Sequence, residues 1–187
     1  MIGFDANMLS LLLCPNSKAP ADPITNGVIE RVEERFALLT EGLDAKGDQI
    51  LIPMPALTEF LVLAAGSAPE YLASLHKLPR FAIRDFTERA AIELAATIRK
   101  ALDARGYIDP ALDSKIKRDG VEATWAKVNF DRQIVAIAKV EPVSALYSTD
   151  EDVHAFAKLM GVPCFHLADL PLPPLPPQME FPHMRSK

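Results

Sequence analysis

One stretch constrains the fold more than any other. The apolar run Ala145–Ser148 has the pattern of a buried strand and ends just before three consecutive acids, Asp150, Glu151 and Asp152. Ser148 and Glu151 have the spacing of a helix capping box, and acids in the first turn of a helix complement its dipole, so capping is one explanation. A strand that ends in carboxylates also suggests a metal site.

Three further acids lie in apolar stretches, where an ionised carboxylate is destabilising unless its charge is compensated. Asp5 ends the predicted strand Met1–Phe4. Glu59 is the only charged residue in the segment Ile50–Ala65. For this segment we predict a short strand, Gln49–Ile52, and after Pro53–Pro55 a helix through Ala65 that is buried nearly all round. Asp131 falls on the inward face of a predicted helix, in its first turn. Capping, a structural salt bridge and the helix dipole are the respective alternatives for these acids.

Short apolar strands alternate with longer helical patterns, which predicts an α/β fold with a mostly parallel sheet covered on both faces. A domain usually has about 100–200 residues, so a chain of 187 residues suits one domain. We expect this domain to span residues 1–168, with an insertion near residues 107–126. The run Pro171–Pro177 favours polyproline II, so residues 169–187 are predicted to form a Pro-rich C-terminal tail.

Capping patterns predict where the longer helices begin and end. Asp22–Pro23 resembles an N-cap followed by Pro at the first helical position. Asp85 and Glu88 have the spacing of a cap and its partner at the start of another long helix. Gly161 is predicted to stop the helix that follows the acidic turn.

Composition narrows the class of protein. Hydrophobic residues make up 49% of the chain and charged residues 24%, as in ordinary globular proteins, and the net charge of −5 argues against a globally basic nucleic-acid binder. No Lys or Arg precedes the first apolar segment and no apolar run can span a bilayer, so we expect a cytoplasmic protein without a signal peptide or membrane contact. Cys14 and Cys164 lack metal-ligand spacing, which predicts reduced thiols.

The ends of parallel strands joined by right-handed crossovers meet at one edge of a sheet. We therefore expect the four separate acids to converge in one pocket; they are Asp5, Glu59, Asp131 and Asp150. Two unit charges about 4 Å apart interact by roughly 4 kcal/mol at an effective dielectric constant near 20, so four carboxylates cannot all stay ionised unaided. Oxygen ligands without Cys or paired His favour Mg²⁺ or Mn²⁺, ions that suit the attack of water on a phosphodiester.

These segments resemble the motifs of PIN-domain ribonucleases, and most closely those of the VapC-type toxins of bacterial toxin–antitoxin pairs. The matching segments are Phe4–Asn7, Pro55–Leu61, the helix around Asp131 and Tyr147–Val153. The resemblance runs from Met1 to about Leu167. It implies a three-layer α/β/α PIN-like fold with a mostly parallel sheet of about five strands.

The resemblance also implies roles for individual residues. Catalytic and metal-binding roles fall on Asp5, Glu59, Asp131 and Asp150, with Asp152 as a further metal ligand. Asn7, Ser148 and Thr149 are expected to support these acids. Candidate RNA contacts, for which a solvated surface is the alternative, are Lys115, Lys117, Arg118, Lys127 and Arg132.

The leading hypothesis is an endoribonuclease that depends on Mg²⁺ or Mn²⁺ and hydrolyses RNA phosphodiester bonds. The family further implies an antitoxin partner and a homodimer. The main alternative is a non-catalytic PIN-like interaction module whose acidic pocket binds metal. A phosphotransfer fold is disfavoured, because Asp5-Ala6-Asn7 replaces the Asp-x-Asp pair of haloacid-dehalogenase-like phosphatases. No strand ends in the lysine that a receiver domain would need.

Overall fold

The computed structural model describes residues 1–105, 117–118, 121–122 and 125–174, with side chains for residues 1–100 and 130–174. Seven strands lie in this part of the chain: β1 (Ile2–Phe4), β2 (Ile50–Pro53), β3 (Phe81–Arg84), β4 (Lys117–Arg118), β5 (Val121–Glu122), β6 (Ala145–Tyr147) and β7 (Cys164–Phe165). Five of them form a parallel sheet in the order β3-β2-β1-β6-β7, and β4 pairs with β5 in a separate antiparallel ribbon.

Helices connect and cover the strands of the main sheet. Their bounds are α1 (Ala6–Leu13), α2 (Val32–Lys46), α3 (Met54–Ala64), α4 (Ala68–Lys77), α5 (Glu88–Arg105), α6 (Trp125–Val140) and α7 (Glu151–Met160). Successive side chains of a strand point to opposite faces of its sheet. All three residues of β1 and all four of β2 are buried, so both faces of the sheet centre are covered. The result is the three-layer α/β/α architecture with a parallel sheet.

The central strands β1 and β6 lie side by side in parallel, with Phe4 opposite Tyr147. The residues that follow this pair are Asp5 and Ser148, and the amide of Asp5 donates to the carbonyl of Tyr147 at 3.3 Å. The register of the two strands therefore places the predicted acid at the end of β1 beside the loop that leaves β6.

Two helices begin later than their sequence patterns predict. Asp22 does not cap a helix, because its carboxylate accepts from the amides of Ile24 and Thr25 in a local turn, and α2 begins only at Val32. At the start of α5, the hydroxyl of Thr87 accepts from the amide of Ala90 at 3.3 Å, in the capping position predicted for Asp85. In the first case the predicted cap, Asp22, closes a local turn instead. In the second case a neighbouring residue, Thr87, takes the capping position.

Two predictions about acids in helices are also wrong. Asp131 was expected in the first turn of its helix, but α6 begins at Trp125, so Asp131 lies in the second turn, beyond the N-terminal amides that favour an acid. The helix α3 is not buried all round, since Val62 is 73% and Leu63 66% exposed. The position of Asp131 in the second turn of α6 weakens the explanation of this acid by the helix dipole.

The described part of the Pro-rich segment contacts the domain. Leu170 is buried, and the guanidinium of Arg35 donates to the carbonyls of Ala168 and Leu170. Arg31 donates to the carbonyl of Pro173 at 3.2 Å. Residues 175–187 and most of the predicted insertion lie outside the described residues. Among the described helices, none has the length and apolar character that crossing a bilayer requires.

Cys14 and Cys164 are both free and partly buried. Burial raises the pKa of the Cys164 thiol to about 12. Cys164 therefore stays protonated at neutral pH, and it serves as a partly buried residue of β7.

Gly161 ends α7 in the left-handed conformation, with φ at 69°, which confirms the predicted stop. Because a side chain is strained there, Gly161→Ala should lower the free energy of unfolding by about 1 kcal/mol in urea denaturation. Gly42 is the matched control, since it lies inside α2 with open space around its Cα. Gly42→Ala should raise the free energy of unfolding by about 0.5–1 kcal/mol. Equal effects of the same sign would contradict this account of α7.

Candidate active site

The four acids predicted to converge line one pocket of about 390 Å³. They come from four places in the chain: Asp5 precedes α1, Glu59 lies in α3, Asp131 lies in α6 and Asp150 precedes α7. The other residues that line the pocket are Ala6, Asn7, Thr58, Val62, Leu63, Phe130 and Ile134. Residues far apart in the sequence thus share one cavity at the edge of the sheet where β1 and β6 end.

The arrangement follows from the topology. The ends of β1 and β6 are neighbours in the sheet, so Asp5 and Asp150 enter the pocket from adjacent loops. Pro53 ends β2 and Met54 begins α3, which carries Glu59 into the same region within two turns. The helix α6 packs on α3 and contributes Asp131, which is buried.

Asp5 is the most enclosed of the four acids, with 3% of its surface exposed. One carboxylate oxygen, Oδ1, accepts from the amide of Met8 at 2.7 Å, so Asp5 is the N-cap of α1. The other oxygen, Oδ2, accepts from the hydroxyl of Ser148 at 2.5 Å. Capping and a functional role are compatible here, because a carboxylate has about four lone-pair sites and its hydrogen bonds do not use all of them.

Burial raises the pKa of Asp5 from 3.8 to about 6. The hydrogen bonds from Ser148 and Met8 oppose this rise, and the negative charge of Asp150 adds to it. A buried carboxylate whose ionised form is destabilised in part by a second carboxylate gains stability from any bound cation. The electrostatics of the pocket therefore favour a positive ion between Asp5 and Asp150.

Asp150 is the N-cap of α7, because its carboxylate accepts from the amide of Asp152 at 2.8 Å. The predicted capping residue, Ser148, instead uses its hydroxyl to accept from the amide of Asp150 at 2.9 Å and to donate to Asp5. Ser148 thus joins the two acids directly. The backbone of Thr149 also contributes a hydrogen bond that lowers the pKa of Asp5.

The chemistry of the donors fits a hard cation, since every acidic ligand in the pocket offers oxygen. Among the described residues, no three side chains of His, Cys, Asp or Glu are close enough together to hold one ion. Mg²⁺ commonly keeps several waters and binds through one or two carboxylates. The pocket therefore fits an ion that is bound by a pair of acids and whose remaining ligands are water molecules.

The remaining predicted residues are distributed differently. Asn7 lines the pocket and is exposed, whereas Asp152 is half-buried and is not part of the lining. The guanidinium carbon of Arg132 lies 5.7 Å from the centre of the Phe156 ring, also outside the lining. The side chains of Lys115, Lys117, Arg118 and Lys127 lie outside the described residues.

Sequence reasoning missed two features of this region. Val62 and Leu63 form an exposed apolar part of the pocket wall, although their segment was predicted to be buried. His154 is a partly exposed residue of α7, and its ring nitrogen lies 3.0 Å from the carbonyl oxygen of Ser148, a contact that the sequence analysis did not include. No pattern in the sequence indicates this contact, because its acceptor is a backbone carbonyl.

Solved structures with a similar fold include two complexes. A crystal structure of VapBC2 from Rickettsia felis bound to a DNA fragment from their promoter has a TM-score of 0.51 at 17% identity, covering 89% of this chain and 98% of that chain. The crystal structure of FitAcB from Neisseria gonorrhoeae has a TM-score of 0.50 at 19% identity, covering 91% and 100%. The chain has a PIN-like fold. No family model and no curated protein matches its sequence.

The PIN-like fold confirms the architecture that the sequence predicted, a three-layer α/β/α arrangement around a parallel sheet of five strands. At identities below 20% the similarity establishes the fold alone. One fold can host many functions, so the function of this chain depends on the acidic pocket that its PIN-like fold assembles.

Proposed function

We propose that this chain is an endoribonuclease that depends on Mg²⁺ or Mn²⁺, and that it is the toxin of a toxin–antitoxin pair. One observation carries the proposal: four carboxylates that are far apart in the sequence line a single pocket. The fold shared with VapBC2 and FitAcB supports a toxin–antitoxin context. The motif resemblance to VapC-type toxins supports the same context.

The acidic pocket favours the nuclease over the antitoxin as the identity of this chain. A DNA-binding antitoxin would be expected to present a basic surface, whereas this chain has a net charge of −5 and a cavity lined by four acids. The partners included in the proposal are an RNA substrate, an antitoxin protein and a second copy of the chain, in the cytoplasm.

The bound ion would supply positive charge that activates water and neutralises phosphate oxygens. Asp5 and Asp150 would hold it. Asp5 is oriented in advance by Met8 and Ser148, and Asp150 by its cap bond to Asp152, so little side-chain reorganisation is needed. Glu59 and Asp131 offer further oxygens to the pocket, where they would accept hydrogen bonds from water and help to orient its attack.

Removing divalent ions tests the proposal. Cleavage of single-stranded RNA by the purified protein should require Mg²⁺ or Mn²⁺, should stop on addition of EDTA and should return when the ion is added in excess. The measurement is the rate of cleavage of a fluorescent RNA. Cleavage that continues in EDTA would contradict the proposed mechanism.

Ser148→Ala should lower cleavage by roughly 10–100-fold, because supporting residues around a metal site typically have effects of this size. The substitution removes the hydroxyl that joins Asp5 to the amide of Asp150. Ser144→Ala is a suitable control, since Ser144 precedes β6 and is exposed, with its hydroxyl on the carbonyl of Met1. The expected result is near-normal activity for Ser144→Ala. Similar losses in both variants would refute a role for the Ser148 hydroxyl.

The alternative function is a non-catalytic module that binds metal, which the same four acids of the pocket would also support. Titration of Mn²⁺ followed by calorimetry distinguishes the two functions. Binding of Mn²⁺ without cleavage of mRNA, tRNA or rRNA would favour the module.

A further inference from the structure

Ser148 is completely buried, and each of its polar groups has a hydrogen-bond partner. Its amide donates to the carbonyl of Phe165 at 3.0 Å, and its hydroxyl donates to Asp5 while accepting from the amide of Asp150. Its carbonyl oxygen lies 3.0 Å from Nε2 of His154. Of the two side chains that bond to Ser148, that of Asp5 lines the acidic pocket and that of His154 lies outside it.

The contact between His154 and Ser148 has a defined direction. A carbonyl oxygen can only accept a hydrogen bond, so Nε2 of His154 carries a proton in this pair. The main chain of His154 also donates to the carbonyl of Asp150 at 3.2 Å. His154 therefore holds the turn from Ser148 to Asp150 at two points, one from its ring and one from its backbone.

A second histidine lies beside the ring of His154. The ring centres of His154 and His166 are 6.0 Å apart, and the ring planes differ by 33°. His166 is itself held by a capping box, in which its Nδ1 accepts from the amide of Ala168 and its amide donates to Asp169 at 2.7 Å. The ring of His154 thus lies between a fixed neighbour, His166, and the carbonyl of Ser148.

The ring of His154 also borders a separate cavity of about 450 Å³. That cavity is lined by His154, Ala155, Lys158, Val162 and Cys164, none of which lines the acidic pocket. Truncation of His154 would therefore enlarge an existing cavity that a small molecule can enter.

We propose that His154 is a positioning residue of the acidic site: its Nε2 hydrogen fixes the carbonyl of Ser148, and so holds the Ser148 hydroxyl on Asp5 and on the amide of Asp150, the two acids proposed to bind the metal. His154 acts through Ser148 and does not touch the substrate. The inference rests on the proposed function for its effect on cleavage, but the hydrogen bond and its effect on metal binding are measurable without RNA.

The main test compares three substitutions. Gln places an amide N–H near the position of Nε2, Asn places one nearer the position of Nδ1, and Leu has no donor. His154→Gln should keep cleavage rate and Mn²⁺ affinity within about threefold of wild type, whereas His154→Asn and His154→Leu should lose roughly 10–100-fold in one or both. His76→Leu is the control, since His76 is an exposed histidine in α4. It should behave as wild type.

Chemical rescue separates positioning from packing. His154→Ala opens the ring position to the adjacent cavity, so added imidazole should restore Mn²⁺ affinity in this variant and have no effect on His154→Leu. Melting temperatures measured without metal should stay similar for the Gln and Leu variants. Equal losses in the Gln and Leu variants, or losses that follow the melting temperature, would overturn the proposal.

NMR provides a test that is independent of metal and RNA. Long-range ¹H–¹⁵N spectra at pH 8 should show the Nε2–H tautomer for His154, and His154→Leu should shift the amide resonance of Asp150. If wild type fails to cleave RNA while these spectra and the Mn²⁺ affinities follow the expected pattern, the proposed function fails and the positioning role stands. The Nδ1–H tautomer for His154 would overturn the positioning role itself.

Discussion

Asp5→Asn should lower RNA cleavage by roughly 10²–10⁴-fold, the range that loss of a group acting directly in catalysis typically produces. Asn has nearly the same shape as Asp, and its carbonyl oxygen can still accept from the amide of Met8. What the variant loses is the negative charge that would hold a divalent ion beside Asp150. Mn²⁺ affinity should fall together with the cleavage rate, and both are measured on the same preparation.

Asp22→Asn is a matched control for this substitution. Asp22 also accepts backbone hydrogen bonds with one carboxylate oxygen, from Ile24 and Thr25, but it lies in an exposed turn outside the pocket. Its replacement should leave cleavage within about twofold of wild type, as expected for a surface position. Full activity in Asp5→Asn would remove Asp5 from the mechanism and, with activity in EDTA, would end the nuclease proposal.

The second large effect concerns stability and pH. Without divalent ions, the free energy of unfolding of wild type relative to Asp5→Asn should fall by up to about 3 kcal/mol as the pH rises from 4 to 7. Burial raises the pKa of Asp5 from 3.8 to about 6 in the folded protein. Between these values the folded protein keeps a proton that the unfolded chain has lost, so stability declines until the pH passes about 6.

Urea denaturation in EDTA at several pH values measures this difference. Subtracting the Asp5→Asn curve from the wild-type curve removes the contributions of other titrating groups. Saturating Mn²⁺ should reduce the difference at pH 7, because the ion replaces the proton as the compensating charge. Parallel pH profiles of the two proteins would show that the carboxyl group of Asp5 titrates normally and is not destabilised by burial.

The features that depend on strand order could be predicted from the sequence. Asp5 and Asp150 follow apolar runs, and the ends of parallel strands share an edge, so their convergence follows from topology. The position of Glu59 at the same edge follows in the same way, because its helix begins directly after β2. The class of fold could be predicted without knowing which side chains are in contact.

The details that failed depend on local competition between hydrogen-bond partners. Ser148 has the spacing of a cap, but its hydroxyl bonds to Asp5, which is 143 residues away, and Asp150 caps α7 instead. Asp22 closes a turn rather than starting a helix. The partner of His154 is a backbone carbonyl, which has no signature in the sequence. Periodicity cannot rank such alternatives, because their outcome is decided by tertiary structure.

The neighbouring positions of β1 and β6 in the sheet have a consequence for synthesis of the chain. The strand β1 leaves the ribosome well before β6, the strand that completes its site, because 143 residues separate Asp5 from Ser148. A nascent chain that stops before residue 145 has neither Ser148 nor Asp150. If the protein degrades RNA, copies that are translated only up to that point are harmless to the ribosome that makes them, and damage begins only after Asp150 has been added.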